Sequence, residues 1–347
     1  MSLVHCTNFT CLCGPGFHPR FYCRPEMEDT LDVTLDMTFT ASRRLFNAVR
    51  GHTGWRWATV ISMIAFPLTI FTHPRRHRDV AGILDLPTFD IIAKAQPRFP
   101  FKYLNKRYLA KGLTGSERAL ALIHHYRYLN TKLRESFLRN ILNDGVNIYE
   151  TLADDGAYAV RMILSAPITD EGELSLELCA DGASIYVLSF TIVPGRIVGV
   201  PADHALMISR IQGVKGVFDL IHKATKALHE TSPPALLFSA VNGVAMAFEI
   251  DHIAGVCAEN QPCYSEIESE RFRAAYDEFF TSVGGQLNTS GYYCFQAPIR
   301  GKPIASVRCD HRSRARKKRK FKASISESVR RVLSEELSAP TPRAGVD

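Results

Sequence analysis

Apolar residues recur at helical spacing along the chain between residues 116 and 142. In Ser116–Leu129 they stand at positions 119, 120, 122, 123, 126 and 129, which indicates one face of an α-helix. Thr114 or Ser116 is a suitable N-cap for this helix. A second apolar face, in Leu133–Leu142, ends at an Asp-Gly pair. The pattern predicts that residues 41–150 are mainly helical.

The pattern changes to that of strands after residue 150. Several short segments alternate apolar and polar residues, or are rich in β-branched and aromatic residues. They are Tyr158–Leu164, Leu174–Leu178, Ser184–Val193 and Ala205–Ile211. Because they follow one another without helical patterns between them, they predict an antiparallel meander.

Helical patterns return after residue 216. Val217–His229 is amphipathic, whereas Ala235–Phe248 is apolar on nearly all faces, which predicts burial on most sides. The later predicted elements are a strand at His252–Cys257, a helix at Glu268–Val283, strands at Tyr292–Gln296 and Ile304–Val307, and a helix at Ser324–Leu337. This order predicts helices packed on a sheet.

Together the elements predict an α+β protein, in which a helical N-terminal region precedes a mixed, largely antiparallel sheet flanked by helices. A chain of 347 residues suits two domains, or one with extensions. We divide it into a leader (1–40), a mainly helical region (41–150), an α/β domain (151–307), and a basic segment with a C-terminal helix (308–347). No repeat of fixed period is visible, which excludes solenoids and propellers.

Positive charge is concentrated in one part of the chain, Arg308–Lys322, which we call the basic segment. It contains nine Lys or Arg and one acid, Asp310, for a net charge of +8, whereas the whole chain carries +7. The remainder is therefore nearly neutral. Because the segment adjoins an amphipathic helix and has one aromatic residue, Phe321, we rank an anionic membrane surface above nucleic acid as its partner. A solvated helical face that binds nothing is the simpler alternative.

Nine cysteines are spread through the chain without regular spacing. Six early cysteines and histidines match no common zinc-binding spacing, so we predict no metal site. They are His5, Cys6, Cys11, Cys13, His18 and Cys23. Met1–Cys23 lacks the pattern of a secretory signal, which favours a cytoplasmic protein with reduced thiols.

One apolar run, Trp57–Phe71, approaches the length of a membrane span. It has 15 uncharged residues and contains Pro67, whereas a spanning helix needs about 20 residues. We predict a buried or interfacial helix there. The expected location is the cytoplasm, with peripheral contact to the inner membrane as a further option.

Six short motifs resemble the VirK/YbjX family of bacterial proteins. They are RIQGVKG (Arg210–Gly216), ATKALHETSPPALLF (Ala224–Phe238), HIAGV (His252–Val256), YDEFFTSVGG (Tyr276–Gly285), YYCFQAP (Tyr292–Pro298) and HRSRARKKR (His311–Arg319). The helical part around HHYRYL (His124–Leu129) is also similar. The resemblance implies an intracellular accessory factor linked to virulence or to envelope properties, such as surface-protein display and resistance to antimicrobial peptides. It implies no catalytic residues.

The predicted order of elements after residue 150 also resembles the GNAT-like acyltransferase fold. That resemblance implies an acyl-CoA cofactor whose pyrophosphate is held by backbone N–H groups at a strand-to-helix turn. The candidate residues are Arg210, Gly213, Lys215 and Gly216. Lys215 stands where the fold has a small residue, although its ammonium group suits a phosphate. The alternative is that both glycines only permit a tight turn.

An acyltransferase also needs a general base and a general acid. Glu249, Asp251 and His252 precede a predicted strand, and Tyr276 is the candidate acid. Further candidate bases are His204, His222 and His229. The alternative is that these are solvated loop residues and, for Tyr276, a core residue of an amphipathic helix.

Two functions remain open from the sequence. The first is a non-enzymatic accessory factor at the inner face of the envelope. The second is an acyl-CoA-dependent acyltransferase that acts on an envelope or protein substrate. An empty apolar slot between the strand ending near Ile211 and the strand at His252 would favour the second, and a filled gap would favour the first. A nucleic-acid-associated regulator is a weaker third hypothesis.

Overall fold

A computed structural model describes residues 73–83, 86–96, 99–166, 170–301, 304 and 308–338. The helices of this part are α1 (Pro74–Ala81), α2 (Phe89–Ala95), α3 (Gly115–Lys132), α4 (Glu135–Asn143), α5 (Phe218–Ala227), α6 (Pro233–Ala247), α7 (Ser269–Phe272), α8 (Phe279–Ser282) and α9 (Arg312–Glu335). A π-helical stretch, Arg273–Glu278, joins α7 to α8.

Eight strands of the described chain form one sheet. They are β1 (Val146–Ala153), β2 (Gly156–Leu164), β3 (Leu174–Ala180), β4 (Ala183–Val193), β5 (Ala205–Gly213), β6 (His252–Val256), β7 (Gln286–Leu287) and β8 (Tyr292–Gln296). The order across the sheet is β1-β2-β3-β4-β5-β6-β8-β7. All neighbours are antiparallel except β5 and β6, which are parallel.

The two faces of the sheet differ in polarity. Met162, Leu176, Leu188 and Ile211 lie side by side across β2 to β5, and all four are buried. The neighbouring row on the opposite face carries charges, including the facing pair Arg161 and Glu177. Because successive residues of a strand point to opposite faces, the strands separate an apolar face from a polar face.

The apolar face is covered by α6, and α9 packs on α6 in turn. Phe238 of α6 meets Phe295 of β8 edge to face, with ring centroids 4.9 Å apart. Ser239 and Gly243 on the other side of α6 approach Ser326 of α9, whose Oγ donates to the Ser239 carbonyl at 2.6 Å. Burial on both sides explains why nearly every residue of α6 is apolar.

The polar face is covered by α3. This helix begins with a capping box. The Thr114 side chain accepts from the Glu117 backbone N–H, and the Glu117 carboxylate accepts from the Thr114 N–H. On the inner side of α3, Tyr126 donates to Glu173 at 2.6 Å. His125 Nδ1 accepts from the Ile192 backbone N–H at 3.0 Å, and burial lowers the pKa of His125 to about 3.

The predicted α+β class is confirmed, and the finer likeness to the acyltransferase fold stays a prediction. Three local features differ from expectation. An unforeseen strand, β1, begins at Val146, before the expected boundary at 151. The basic residues lie within α9 itself, which begins at Arg312 rather than Ser324. Ile304 is in a 3-10 turn, not a strand.

Several predictions concern residues outside the described ranges. These are the leader, the early cysteine and histidine group, the apolar run Trp57–Phe71, and residues 305–307 of a predicted strand. Among the helices that are described, none is both long enough and apolar enough to cross a membrane.

Candidate functional site

β5 and β6, the parallel pair of the described sheet, separate after three residue pairs. Pairing runs from Leu206–Ile253 to Ile208–Gly255. The β4–β5 register shifts at the following residue, Ser209, and such a bulge bends the strand. β5 continues to Gly213 without β6 beside it, which opens a gap at the carboxyl ends of the two strands. We call this gap the wedge.

Two aromatic side chains of the chain itself occupy the wedge. Tyr276 is 1% exposed, and its Oη accepts a hydrogen bond from Gln212 Nε2 at 2.9 Å. The ring of Phe280 lies against Gly255, where a Cβ atom would come closer than 3.0 Å to the ring. Glycine is therefore required at position 255 by this close approach. The wedge is filled rather than an empty apolar slot.

An ion pair lies at the mouth of the wedge. Arg210 Nε is 3.4 Å from Glu171 Oε2, and the two side chains are 22% and 9% exposed. Burial raises the pKa of Tyr276, and the nearby Glu171 carboxylate raises it further. Cys263 is exposed, and partial desolvation of its thiol raises its pKa, again with Glu171 as an additional cause. Tyr276 and Cys263 are thus held in their neutral forms.

Three buried polar atoms of this region have no hydrogen-bond partner among the described residues. They are Ser209 Oγ, at the bulge, Arg210 Nε, which is 3.4 Å from Glu171 Oε2, and Gln261 Oε1, whose amide nitrogen donates to Val256 O at 2.8 Å. An unpaired buried polar atom costs about 1–3 kcal/mol. Such atoms commonly mark a site where water or a ligand completes the bonding.

The turn after β5 is open to solvent. Val214 N donates to Ile185 O at 3.0 Å, whereas Lys215 and Gly216 are exposed. Gly216 has φ +88°, and nothing lies within 4 Å of the position of a Cβ there. α5 begins two residues later without a side-chain cap. Its first N–H groups are therefore available to an anion.

The predicted catalytic residues divide between two ends of the sheet. Tyr276 lies in the wedge beside Arg210, whereas Glu249, Asp251 and His252 lie at the start of β6. From the level of His252 to Gly213, β5 extends for eight residues, or about 26 Å. Glu249 is exposed and pairs with Lys132 at 2.7 Å. The structure therefore does not bring these three residues to the turn.

Of the three further histidines, His204 and His229 lie outside the turn and α5, whereas His222 is on α5. His204 Nδ1 is 2.9 Å from His124 Nε2, with the Tyr128 ring 4.8 Å from the His204 ring. Burial, with smaller effects of His204 and Arg196, lowers the pKa of His124 to about 4. His222 is exposed on α5, and His229 packs edge to face on Phe321 of α9 at 4.8 Å. No cluster of three or more metal-ligating side chains occurs in the described ranges.

Most of the basic segment forms the first half of α9, and it contacts the turn between α5 and α6. Glu230, in the turn between α5 and α6, pairs with Arg314 and lies 3.8 Å from Lys318. Arg316, Lys317 and Lys320 are exposed. Below the segment, Ile325, Val329 and Leu333 are buried. The charged half of the helix thus packs partly on the body and exposes Arg316, Lys317 and Lys320 on its outer side.

Sequence reasoning missed four residues of the wedge: Glu171, Gln212, Gln261 and Cys263. Gln212 belongs to the RIQGVKG motif and could have been chosen with Arg210. Glu171 and Cys263 are loop residues with no local pattern. They reach Arg210 through the packing of two distant loops on β5, which only the fold reveals.

Comparison with known proteins identifies the family. A family described as "Protein of unknown function (DUF535)" matches residues 56–331. The "Uncharacterized protein YbjX" of Escherichia coli (strain K12) is 24% identical over 241 residues, which cover 67% of this chain and 71% of that protein. No solved structure matches. The matched range includes every element from α1 to the greater part of α9, and the chain therefore belongs to the DUF535 family, the YbjX-like proteins that its motifs resemble.

Proposed function

We propose that the protein is a non-enzymatic accessory factor that binds the anionic inner surface of the bacterial envelope through the basic segment. The proposed role is support of virulence and of envelope properties, such as surface-protein display and resistance to antimicrobial peptides. The observation that carries the proposal is the exposed charge on a helix whose other half is buried in the fold. A basic helix fixed in this way presents its charge in one orientation.

The charge of the segment is sufficient for such a role. A basic residue near an anionic bilayer contributes about 1 kcal/mol. Arg316, Lys317 and Lys320 are exposed, whereas Arg314 and Lys318 share their charge with Glu230. Neutralising the three exposed residues should therefore weaken adsorption by about 3 kcal/mol, or on the order of 100-fold.

The direct test is sedimentation of the full chain with vesicles. The test variant combines Arg316→Gln, Lys317→Gln and Lys320→Gln. The control combines Lys106→Gln, Arg127→Gln and Arg300→Gln, which remove the same charge from exposed positions elsewhere. We expect the unmodified chain and the control variant to bind phosphatidylglycerol-containing vesicles and not neutral ones. The test variant should bind neither kind.

Three results would contradict the proposal. One is equal binding to neutral and anionic vesicles, and another is equal weakening in both triple variants. The third is tighter binding to RNA or DNA than to vesicles at the same salt concentration, since phosphate contacts of both kinds weaken with salt. In cells that lack the protein, only the control variant should restore resistance to cationic antimicrobial peptides.

A second candidate function is acyl transfer from acyl-CoA, favoured by the geometry around the wedge. The parallel strands separate beside an exposed turn with free N–H groups, and Ser209 Oγ and Gln261 Oε1 lack partners nearby. Arg210, Lys215 and Gly216 would hold the pyrophosphate, and Tyr276 would donate a proton to the leaving thiolate. The filled wedge makes this the second choice.

Thermal unfolding with free CoA and a panel of acyl-CoAs tests this candidate. A ligand at 100 times its dissociation constant stabilises a protein by about 2.7 kcal/mol. Gly213→Val should abolish the shift, but a Cβ there would lie 3.0 Å from Ile221 Cδ1. Lys215→Ala is therefore the cleaner variant, because Lys215 is exposed. An absence of any shift would remove acyl transfer from consideration.

A further inference from the structure

α5 is held to the fold by a narrow stripe and exposes large apolar side chains beside it. Ala224 is its fully buried residue, and Ile221 is half-buried. Phe218 is 76% exposed and Leu220 is 38% exposed, both in the first turn. Two large apolar side chains exposed in one helical turn form a small apolar patch, which we call the α5 corner, and such patches are candidates for contact with a partner or a lipid surface.

The charges on α5 and in the turn before it are mostly positive. Lys215 precedes α5 in the open turn, and Lys226 is exposed on the helix, with Asp219 as its acid. Lys223 Nζ donates to the Asp155 carbonyl in the β1–β2 turn at 2.9 Å. Lysine side chains beside an aromatic ring are typical of proteins that bind at the interface of a bilayer. The ring enters the apolar layer of acyl chains, and the ammonium groups stay among the lipid headgroups. The charge complements an anionic bilayer.

α5 is also joined directly to the basic segment. His229, just after α5, packs on Phe321, and Glu230 pairs with Arg314. A helix of ten residues is about 15 Å long. Phe218 and the contact with the basic segment therefore lie at opposite ends of one short helix, about 15 Å apart.

We propose that the first turn of α5 inserts Phe218 and Leu220 into the headgroup boundary of an anionic bilayer that the basic segment has attracted. This inference rests on the proposed function and adds a site to it. Charge alone gives adsorption that salt reverses, whereas burial of an aromatic ring adds a contribution that salt does not screen. The α5 corner would thus make the attachment persist at high salt.

The test places a fluorescent reporter at the corner of the full chain. Phe218→Trp is mixed with phosphatidylglycerol-containing vesicles whose acyl chains are brominated near the headgroup, and its emission is compared with that of the unmodified chain. The control is Leu287→Trp, which replaces a 56% exposed residue on β7, at the edge of the sheet farthest from β1. We expect quenching of the tryptophan at position 218 and not of that at position 287.

Affinity gives a second readout. Phe218→Ser should weaken vesicle binding roughly tenfold and remove the fraction that persists at high salt, whereas Leu287→Ser should change neither. If the chain binds anionic vesicles but position 218 is unquenched and Phe218→Ser binds normally, insertion is refuted and the proposed function stands. If no vesicles bind, both fail. If Phe218→Ser instead converts a dimer into a monomer, the corner contacts a second copy of the chain and the inference is wrong.

Discussion

The buried ion pair between Lys102 and Glu173 gives the sharpest prediction about what holds the fold together. Lys102 Nζ lies 2.7 Å from Glu173 Oε1, and the side chains are 4% and 0% exposed. Tyr108 and Tyr126 also donate to the carboxylate, at 2.7 and 2.6 Å. Because Glu173 directly precedes β3, this cluster ties the helical layer to the sheet.

Glu173→Gln should lower the free energy of unfolding by about 3–5 kcal/mol. The substitution keeps the shape of the side chain but leaves the Lys102 ammonium buried without a counter-charge. Its other contacts, Gln96 Oε1 at 3.1 Å and the Tyr108 ring at 5.5 Å, are neutral and do not replace the lost counter-charge. A loss of this size is a large part of the 5–15 kcal/mol that stabilises a typical domain.

A double-mutant cycle, measured by urea unfolding, separates the interaction energy between the two charges from the cost of changing each buried side chain. Lys102→Met should also destabilise the fold, and the double variant should lose about 1–3 kcal/mol less than the sum, because it leaves neither charge unpaired. The matched control is the exposed pair of Lys132 and Glu249, which has the same 2.7 Å separation. Breaking that pair should cost less than about 1 kcal/mol. Equal costs for the two pairs, or an additive cycle for the buried one, would refute the reasoning.

Three further predictions follow from single contacts. The pKa of His124 is lowered from 6.5 to about 4, so the unfolded chain binds more protons between these values and stability should fall as pH decreases from 6.5 to 4. His124→Gln should reduce that dependence in urea titrations at pH 7 and pH 5, with the remainder due to other histidines, among them His77 and His125, whose pKa values are also lowered. Gly243→Ala places a Cβ closer than 3.0 Å to Ser326 O and should lower the free energy of unfolding by about 1–3 kcal/mol. An unchanged melting temperature would mean that α9 does not pack on α6 as described. Thr114→Ala removes the capping box of α3 and should lower the free energy of unfolding by about 1 kcal/mol, as measured by urea unfolding. A loss below about 0.3 kcal/mol would show that the cap is dispensable.

Local pattern was sufficient where one face of an element is buried. The strand at Ser184–Val193 and the apolar helix at Ala235–Phe248 were predicted within a residue or two of β4 and α6. β1 was missed because it is an edge strand, and only Ile148 along it is fully buried. A strand with only one buried position shows little apolar alternation, so the period that identifies strands is weak there.

The candidate site was predicted less well, because it depends on contacts between distant loops. Arg210 and Tyr276 were chosen from the sequence, but Glu171 and Cys263 meet them only through the fold. His252 was placed with them by its position ahead of a strand, and the parallel pairing of β5 and β6 puts it at the opposite end. Strand direction, which the sequence does not specify, therefore decided which residues come together.

The turn between α5 and α6 explains why the basic segment is a fixed surface and not a tail. His229 and Glu230 both have φ of +55°, a region that costs residues other than glycine roughly 1–2 kcal/mol each. That conformation persists because His229 packs on Phe321 and Glu230 pairs with Arg314 and Lys318. Glycine at both positions would relieve the strain but would also remove both contacts with α9. The two contacts with α9 therefore fix the position of the basic segment relative to this turn and offset the backbone strain.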